Sequence, residues 1–123
     1  TDEDKALVKY RMERAFETLQ EAGVLFDAGH INTYVNRLYY ACFYAVSALL
    51  ISRGQSTSKH GYLRSLFHKE FEESGKQFDL LFQSRQKGDY SDYVRFDAEE
   101  VADWLEKTQR VVEEIRDYFI REG

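Results

Sequence analysis

The sequence predicts an all-α protein: an antiparallel up-and-down bundle of about five helices, three long and two short, with residues 1–123 forming one domain. Three observations carry this. Apolar residues recur at spacings of three and four along most of the chain, which is the period of one helix face. No proline occurs among the 123 residues, so the commonest breaker of helix interiors is missing. No convincing strand pattern is present either. The run Tyr39-Tyr40-Ala41-Cys42-Phe43-Tyr44 looks strand-like alone, but it lies inside a long alanine-containing helical pattern.

The first helix is expected from about Asp4 to Ala28, with Val8, Met12, Ala15, Leu19, Ala22 and Phe26 on its apolar face and Gly29 as its stop. The second is expected from about Thr33 to Arg53, capped by Asn32 or Thr33. Its apolar residues Leu38, Tyr39, Ala41, Cys42, Ala45, Val46, Ala48 and Leu49 cover more than one face, as in a helix with neighbours on two sides. Gly54 ends it. A third helix runs from near Ser58 to about Glu73, with Leu63, Leu66, Phe67 and Phe71 in its stripe, and Gly75 breaks it. A short fourth helix spans about Phe78 to Lys87, followed by a turn-rich stretch through Gly88, Asp89, Ser91 and Asp92. The last helix starts after Phe96, with Asp97 as N-cap and Glu100 placed as in a capping box. Ala98, Val101, Leu105, Thr108, Val112, Ile115 and Phe119 carry it as one continuous repeat to about Arg121.

Composition narrows the function classes. The chain is 43% hydrophobic and 32% charged, which fits a folded domain rather than a disordered one. Its net charge of −5 is wrong for a general polyanion binder. The charge is uneven, however. Arg53 to Arg95 holds eight Lys/Arg against six Asp/Glu, a balance of +2, leaving −7 for the rest. A nucleotide or nucleic-acid contact therefore belongs in the middle third. The single cysteine, Cys42, has no partner for an internal disulfide and suits a reducing cytoplasm. No stretch approaches the ~20 apolar residues of a membrane span, no basic-then-apolar leader is visible, and the original N-terminus is expected upstream of Thr1.

Several chemistries lack their residues. One cysteine and His30, His60 and His68 do not have the paired spacing of a zinc site. No Glu-x-x-His for a carboxylate-bridged diiron centre, no glycine-rich phosphate loop and no nucleophile elbow occurs. Neither a metal nor a cofactor is expected. What remains is Ser84-Arg85-Gln86-Lys87-Gly88-Asp89-Tyr90-Ser91-Asp92-Tyr93. Arg85 there is either a salt-bridge partner of Asp89 or Asp92, a helix C-cap, or a guanidinium fork for phosphate. Lys59, His60 and Arg64 add positive charge at the start of the third helix, whose free N–H groups favour an anion. Ser56, Thr57 or Ser58 equally serve as its cap.

The run Asn36-Arg37-Leu38-Tyr39-Tyr40-Ala41-Cys42-Phe43-Tyr44-Ala45 resembles the Tyr-Tyr-Ala-x-Phe signature of HEPN domains. Ser58-Lys59-His60-Gly61-Tyr62-Leu63-Arg64-Ser65-Leu66-Phe67 looks like their following helix, and Arg85 to Tyr93 resembles their Arg-Gln-x-x-Asp-Tyr-x-x-Tyr segment. Order and spacing match across nearly the whole chain. The resemblance implies a bundle of about five helices, usually a homodimer, and pairing with a minimal nucleotidyltransferase. Some members are toxins of toxin–antitoxin modules that cut RNA without metal through Arg-x(4–6)-His. Here Tyr90 stands at the histidine position. A phenol titrates near ~10 and an imidazole near ~6.5, which leaves Tyr90 as a donor of a proton or hydrogen bond.

The first expectation from the resemblance is a homodimeric module that binds nucleotide or RNA through Arg85, Asp89, Tyr90 and Tyr93, with Lys59, His60 and Arg64 nearby. In that reading a tyrosine hydroxyl also accepts a nucleotidyl group from the partner enzyme. The alternatives are a metal-independent toxin endoribonuclease, with Arg85 and Tyr90 (or His60) as the catalytic pair, and a dimeric scaffold without a ligand.

Overall fold

The computed structural model describes residues 1–55, 60–90 and 94–122, without the side chains of residues 60–62 and 90. The described residues form an all-α bundle, as the periodicity requires: α1 (Asp2–Asp27), α2 (Ile31–Ser52), α3 (His60–Glu70), α4 (Glu72–Tyr90), a single turn α5 (Ala98–Val101) and α6 (Trp104–Glu122). α2 is the central helix, with Tyr34, Val35, Leu38, Tyr39, Ala41, Cys42, Ala45 and Val46 all fully buried. Its contacts give the topology. Phe26 of α1 packs on Tyr34, and Arg11 and Arg14 of α1 lie over Tyr44, so α1 runs antiparallel to α2. Asn36 bonds Asp89, and Tyr39 stacks on Phe78 at 5.6 Å between ring centroids, so α4 also runs antiparallel to α2. α6 runs parallel to α2, touching Tyr34 at its start and Arg53 near its end.

The glycine stops at Gly29 and Gly54 hold, each for the same reason. Gly29 has φ +82° and Gly54 φ +73°, a left-handed backbone that side chains resist. Gly29 N–H donates to Phe26 O and His30 N–H to Leu25 O; Gly54 N–H donates to Ile51 O and Gln55 N–H to Leu50 O. Both ends are thus Schellman motifs, which satisfy otherwise orphaned carbonyls.

Gly75 and Gly88 break nothing; both lie inside α4, which is 19 residues long rather than the short helix expected over 78–87. A Cβ on Gly75 would sit 2.7 Å from the Cα of His68, and one on Gly88 would sit 2.9 Å from Cε2 of Phe96. Glycine is there because other backbone and side chains come that close. The α3–α4 hairpin turns at Phe71, and residues 88–90, expected as the start of a turn-rich stretch, continue the helix.

Two further boundaries differ. α2 begins at Ile31, with no side-chain cap at His30. Asn32 is spent elsewhere: its Nδ2 donates to Val94 O at 2.9 Å, and its Oδ1 accepts from Phe96 N–H at 3.1 Å. The last helix is not continuous, although Asp97 caps its first turn by accepting from Glu99 N–H at 3.3 Å. Between Val101 and Trp104 the ladder is interrupted by the buried hydroxyl of Tyr34, which donates to Val101 O at 2.7 Å and accepts from Leu105 N–H at 3.1 Å. These are the two groups that would bond each other in an unbroken helix. A side chain inserted into the ladder is a known cause of a helix break.

Candidate functional site

Arg85 sits on α4 where that helix passes α2. Its side chain is only 14% exposed. The guanidinium carbon lies 5.1 Å from the ring centre of Tyr39 and 5.2 Å from that of Tyr40, a cation–π placement that orients the planar group. One turn on, Asp89 holds its charge: Oδ2 of Asp89 is 3.2 Å from Nε of Arg85. That contact is off hydrogen-bond angle, and Nε–H is buried without an acceptor. Asp89 Oδ2 instead accepts from Asn36 Nδ2 at 2.9 Å. Asn36 Oδ1 accepts twice from Arg37, from Nε at 3.1 Å and Nη2 at 2.8 Å, and Arg37 lies over the face of Tyr40 at 5.0 Å. The group is therefore a chain of fixed polar contacts, Arg37–Asn36–Asp89–Arg85, laid against two tyrosine rings.

Its electrostatics follow from burial. Burial pushes the Tyr39 phenol well above its ordinary value, while the Arg85 guanidinium and, less strongly, Arg64 act in the opposite direction. Tyr39 is therefore neutral near pH 7 and serves as an aromatic floor. Arg37 and Arg85 both lie over the Tyr40 ring, and against the one carboxylate of Asp89 they leave net positive charge for an anion.

Of the residues expected from the sequence, Arg85 and Asp89 meet, as their i, i+4 spacing on a helix requires. Arg64 packs on Phe82 instead. It lies 3.7 Å from that ring's centre, and its Nη1 pairs with Asp79 Oδ1 at 3.1 Å. Lys59 and Tyr93, and the side chains of His60 and Tyr90, lie outside the described residues, as does Asp92, the other salt-bridge partner considered for Arg85. Asn36, Arg37 and Tyr40 were not singled out as site residues. Their signal was present in the sequence, since positions 36, 37 and 40 share one face of a helix, but that face becomes a site only when α4 packs on it. Among the described residues there is no cluster of three or more potential metal ligands, and no described helix is long and apolar enough to cross a membrane.

Residues 8–118 match the HEPN domain, a span that runs from within α1 to within α6. A UPF0332 protein of Thermotoga maritima is 37% identical over 121 residues, covering 93% of this chain and 92% of its own. A protein of Methanocaldococcus jannaschii, named "Putative toxin", is 28% identical over 116 residues, covering 89% of this chain and 79% of its own. A UPF0332 protein of Gloeobacter violaceus is 35% identical over 65 residues, about half of each chain at 53% and 52%. With an all-helical bundle, the Asn36–Tyr44 and Arg85–Asp89 segments packed on each other, and a match over residues 8–118, this chain belongs to the HEPN domain family.

Proposed function

We propose that the protein is a nucleotide- or RNA-binding module that works as a homodimer beside a minimal nucleotidyltransferase, in a two-component system of the toxin–antitoxin kind. The observation that carries this is the state of Arg85: a guanidinium only 14% exposed, 5.1 and 5.2 Å from the ring centres of Tyr39 and Tyr40, with its Nε 3.2 Å from Asp89 Oδ2. A guanidinium kept fixed beside an aromatic surface suits a phosphate with its base or ribose stacked alongside. Arg37 and Asn36 extend the polar surface, and Tyr90 and Tyr93 complete the tyrosine-rich segment in sequence. In this reading one of their hydroxyls is the acceptor for the partner's nucleotidyl transfer.

Arg85→Gln is expected to weaken binding of a labelled single-stranded RNA about 10- to 100-fold, the loss of one or two charge-assisted hydrogen bonds. The thermal transition should stay within a few degrees. Unchanged affinity in the variant would sink the reading. Incubation with the partner enzyme and ATP, followed by intact mass and peptide mapping, tests the acceptor role; the expected added mass lies on Tyr90 or Tyr93.

The second reading, a toxin endoribonuclease, rests on the toxin name carried by the Methanocaldococcus jannaschii relative. There Arg85 would stabilise the charge that develops at the phosphorus. Cleavage of RNA by the purified dimer, abolished in Arg85→Ala, would favour it over binding alone.

A further inference from the structure

Away from the Arg85 group, α3 carries an open surface cavity of about 350 Å³ lined by Arg64, Ser65, His68 and Lys69, with Asp79 of α4 at its wall. We infer that this cavity is a second anion site, and that it takes a phosphate group. Four observations converge. First, the lining has no apolar residue, and it holds two permanent cations, an imidazole and a hydroxyl against one carboxylate in a chain of net charge −5. Second, that carboxylate is already occupied: Oδ1 of Asp79 takes Nη1 of Arg64 at 3.1 Å, and Oδ2 takes Nδ1 of His68 at 2.8 Å. With both oxygens engaged, Asp79 orients Arg64 and His68, and its charge is offset by that of Arg64.

Third, Arg64 is preorganised. Its guanidinium lies on Phe82 at 3.7 Å, and of its five N–H donors only one on Nη1 serves Asp79. Fourth, the position of His68 is built into the backbone. The close approach of Gly75 to the Cα of His68 brings α3 against α4, and the hydrogen bond to Asp79 then fixes the ring. Ser65 and Lys69, each one position beyond Arg64 and His68 on α3, add an exposed hydroxyl and an exposed ammonium to the same rim. The volume admits a phosphate with an attached ribose.

The site is separate from the Arg85 group. Asp79 and Arg85 lie six residues apart on α4, about 9 Å along the axis. The cavity thus stands even if Arg85 binds nothing, and the experiment tells the two apart. The ¹⁵N-labelled full chain is titrated at constant ionic strength with inorganic phosphate, with adenosine 5′-monophosphate and with chloride. Saturable shifts of the amides from Ser65 to Lys69 are expected with the two phosphates but not with chloride. Lys69→Glu should weaken them at least tenfold, about the contribution of one charge-assisted hydrogen bond, and Lys69→Arg should retain them. Arg85→Gln should leave them unchanged. Tighter binding of the nucleotide than of inorganic phosphate assigns a nucleotide ligand; equal binding assigns the free anion. Absence of saturation below ~10 mM, where binding energy falls under about 3 kcal/mol, overturns the inference. So do equal shifts with chloride, or equal affinities in the wild type and Lys69→Glu.

Discussion

Tyr34 replaces a main-chain hydrogen bond with its own hydroxyl. It is fully buried, and its OH both donates to Val101 O and accepts from Leu105 N–H. Tyr34→Phe would leave that carbonyl and that amide facing each other across the gap where the oxygen stood, without the hydroxyl that bridges them. A loss of about 1–3 kcal/mol in denaturant unfolding is expected. The same oxygen sets an alkaline limit. Burial pushes the Tyr34 phenol from 10.0 up to about 12, despite the Leu105 amide that acts in the opposite direction. The folded chain therefore holds the proton more tightly than the unfolded one. Its contribution is fully present below pH 10 and is lost as pH rises toward 12, roughly 3 kcal/mol in all. Stability measured between pH 9 and 12 should fall less steeply in Tyr34→Phe than in the wild type. Equal slopes would mean that this hydroxyl ionises alike in both states. Nothing in the sequence marks this role, because a tyrosine near a helix start reads as one more apolar contact until the other helix is in place.

Among the elements, α4 shows where local reading ends. A glycine that stops a helix and a glycine that lets two helices touch are the same letter. Gly29 and Gly54 were legible because polar or turn residues follow and the apolar period lapses. Gly75 and Gly88 were misread because their cause, the His68 backbone and the Phe96 ring, is distant in sequence or hidden by the fold. The last helix failed in the opposite direction. Its apolar repeat steps from Val101 to Leu105 without a lapse, so periodicity alone joins what the Tyr34 hydroxyl divides. Arg85 and Asp89 were legible as an i, i+4 pair, whereas Asn36 and Tyr40 needed the α2–α4 packing. The contrast between glycines is testable. Gly23→Ala places its Cβ 3.6 Å from Leu105 Cδ2, an ordinary contact, so it should raise stability by about 0.5–1 kcal/mol through helix propensity. Gly75→Ala gains the same propensity but must displace backbone at 2.7 Å. It should lower stability by about 1–3 kcal/mol. Thermal melts of the two variants should therefore move in opposite directions.

At the scale of the whole molecule, one aromatic and aliphatic core ties all the long helices together. Tyr39, Phe67 and Phe78 pack ring on ring among fully buried leucines, and a bidentate pair between Arg53 and Glu70, under the Tyr118 ring, closes the end where α2, α3 and α6 meet. Cys42 lies at the centre of that core, fully buried, with its thiol pushed far above the ordinary range by burial. It is the chain's single cysteine, and therefore a clock. A thiol reagent reacts with thiolate, and no fraying end or surface loop exposes this one, so labelling must wait for the bundle to open as a unit. In the limit of fast reclosing, the labelling rate relative to a free cysteine should return the global unfolding free energy without any denaturant. Labelling much faster than that would identify a partial opening that frees α2 alone. The chain thus carries its own gauge of cooperativity, and any ligand held by the folded state should slow that clock in proportion to its occupancy.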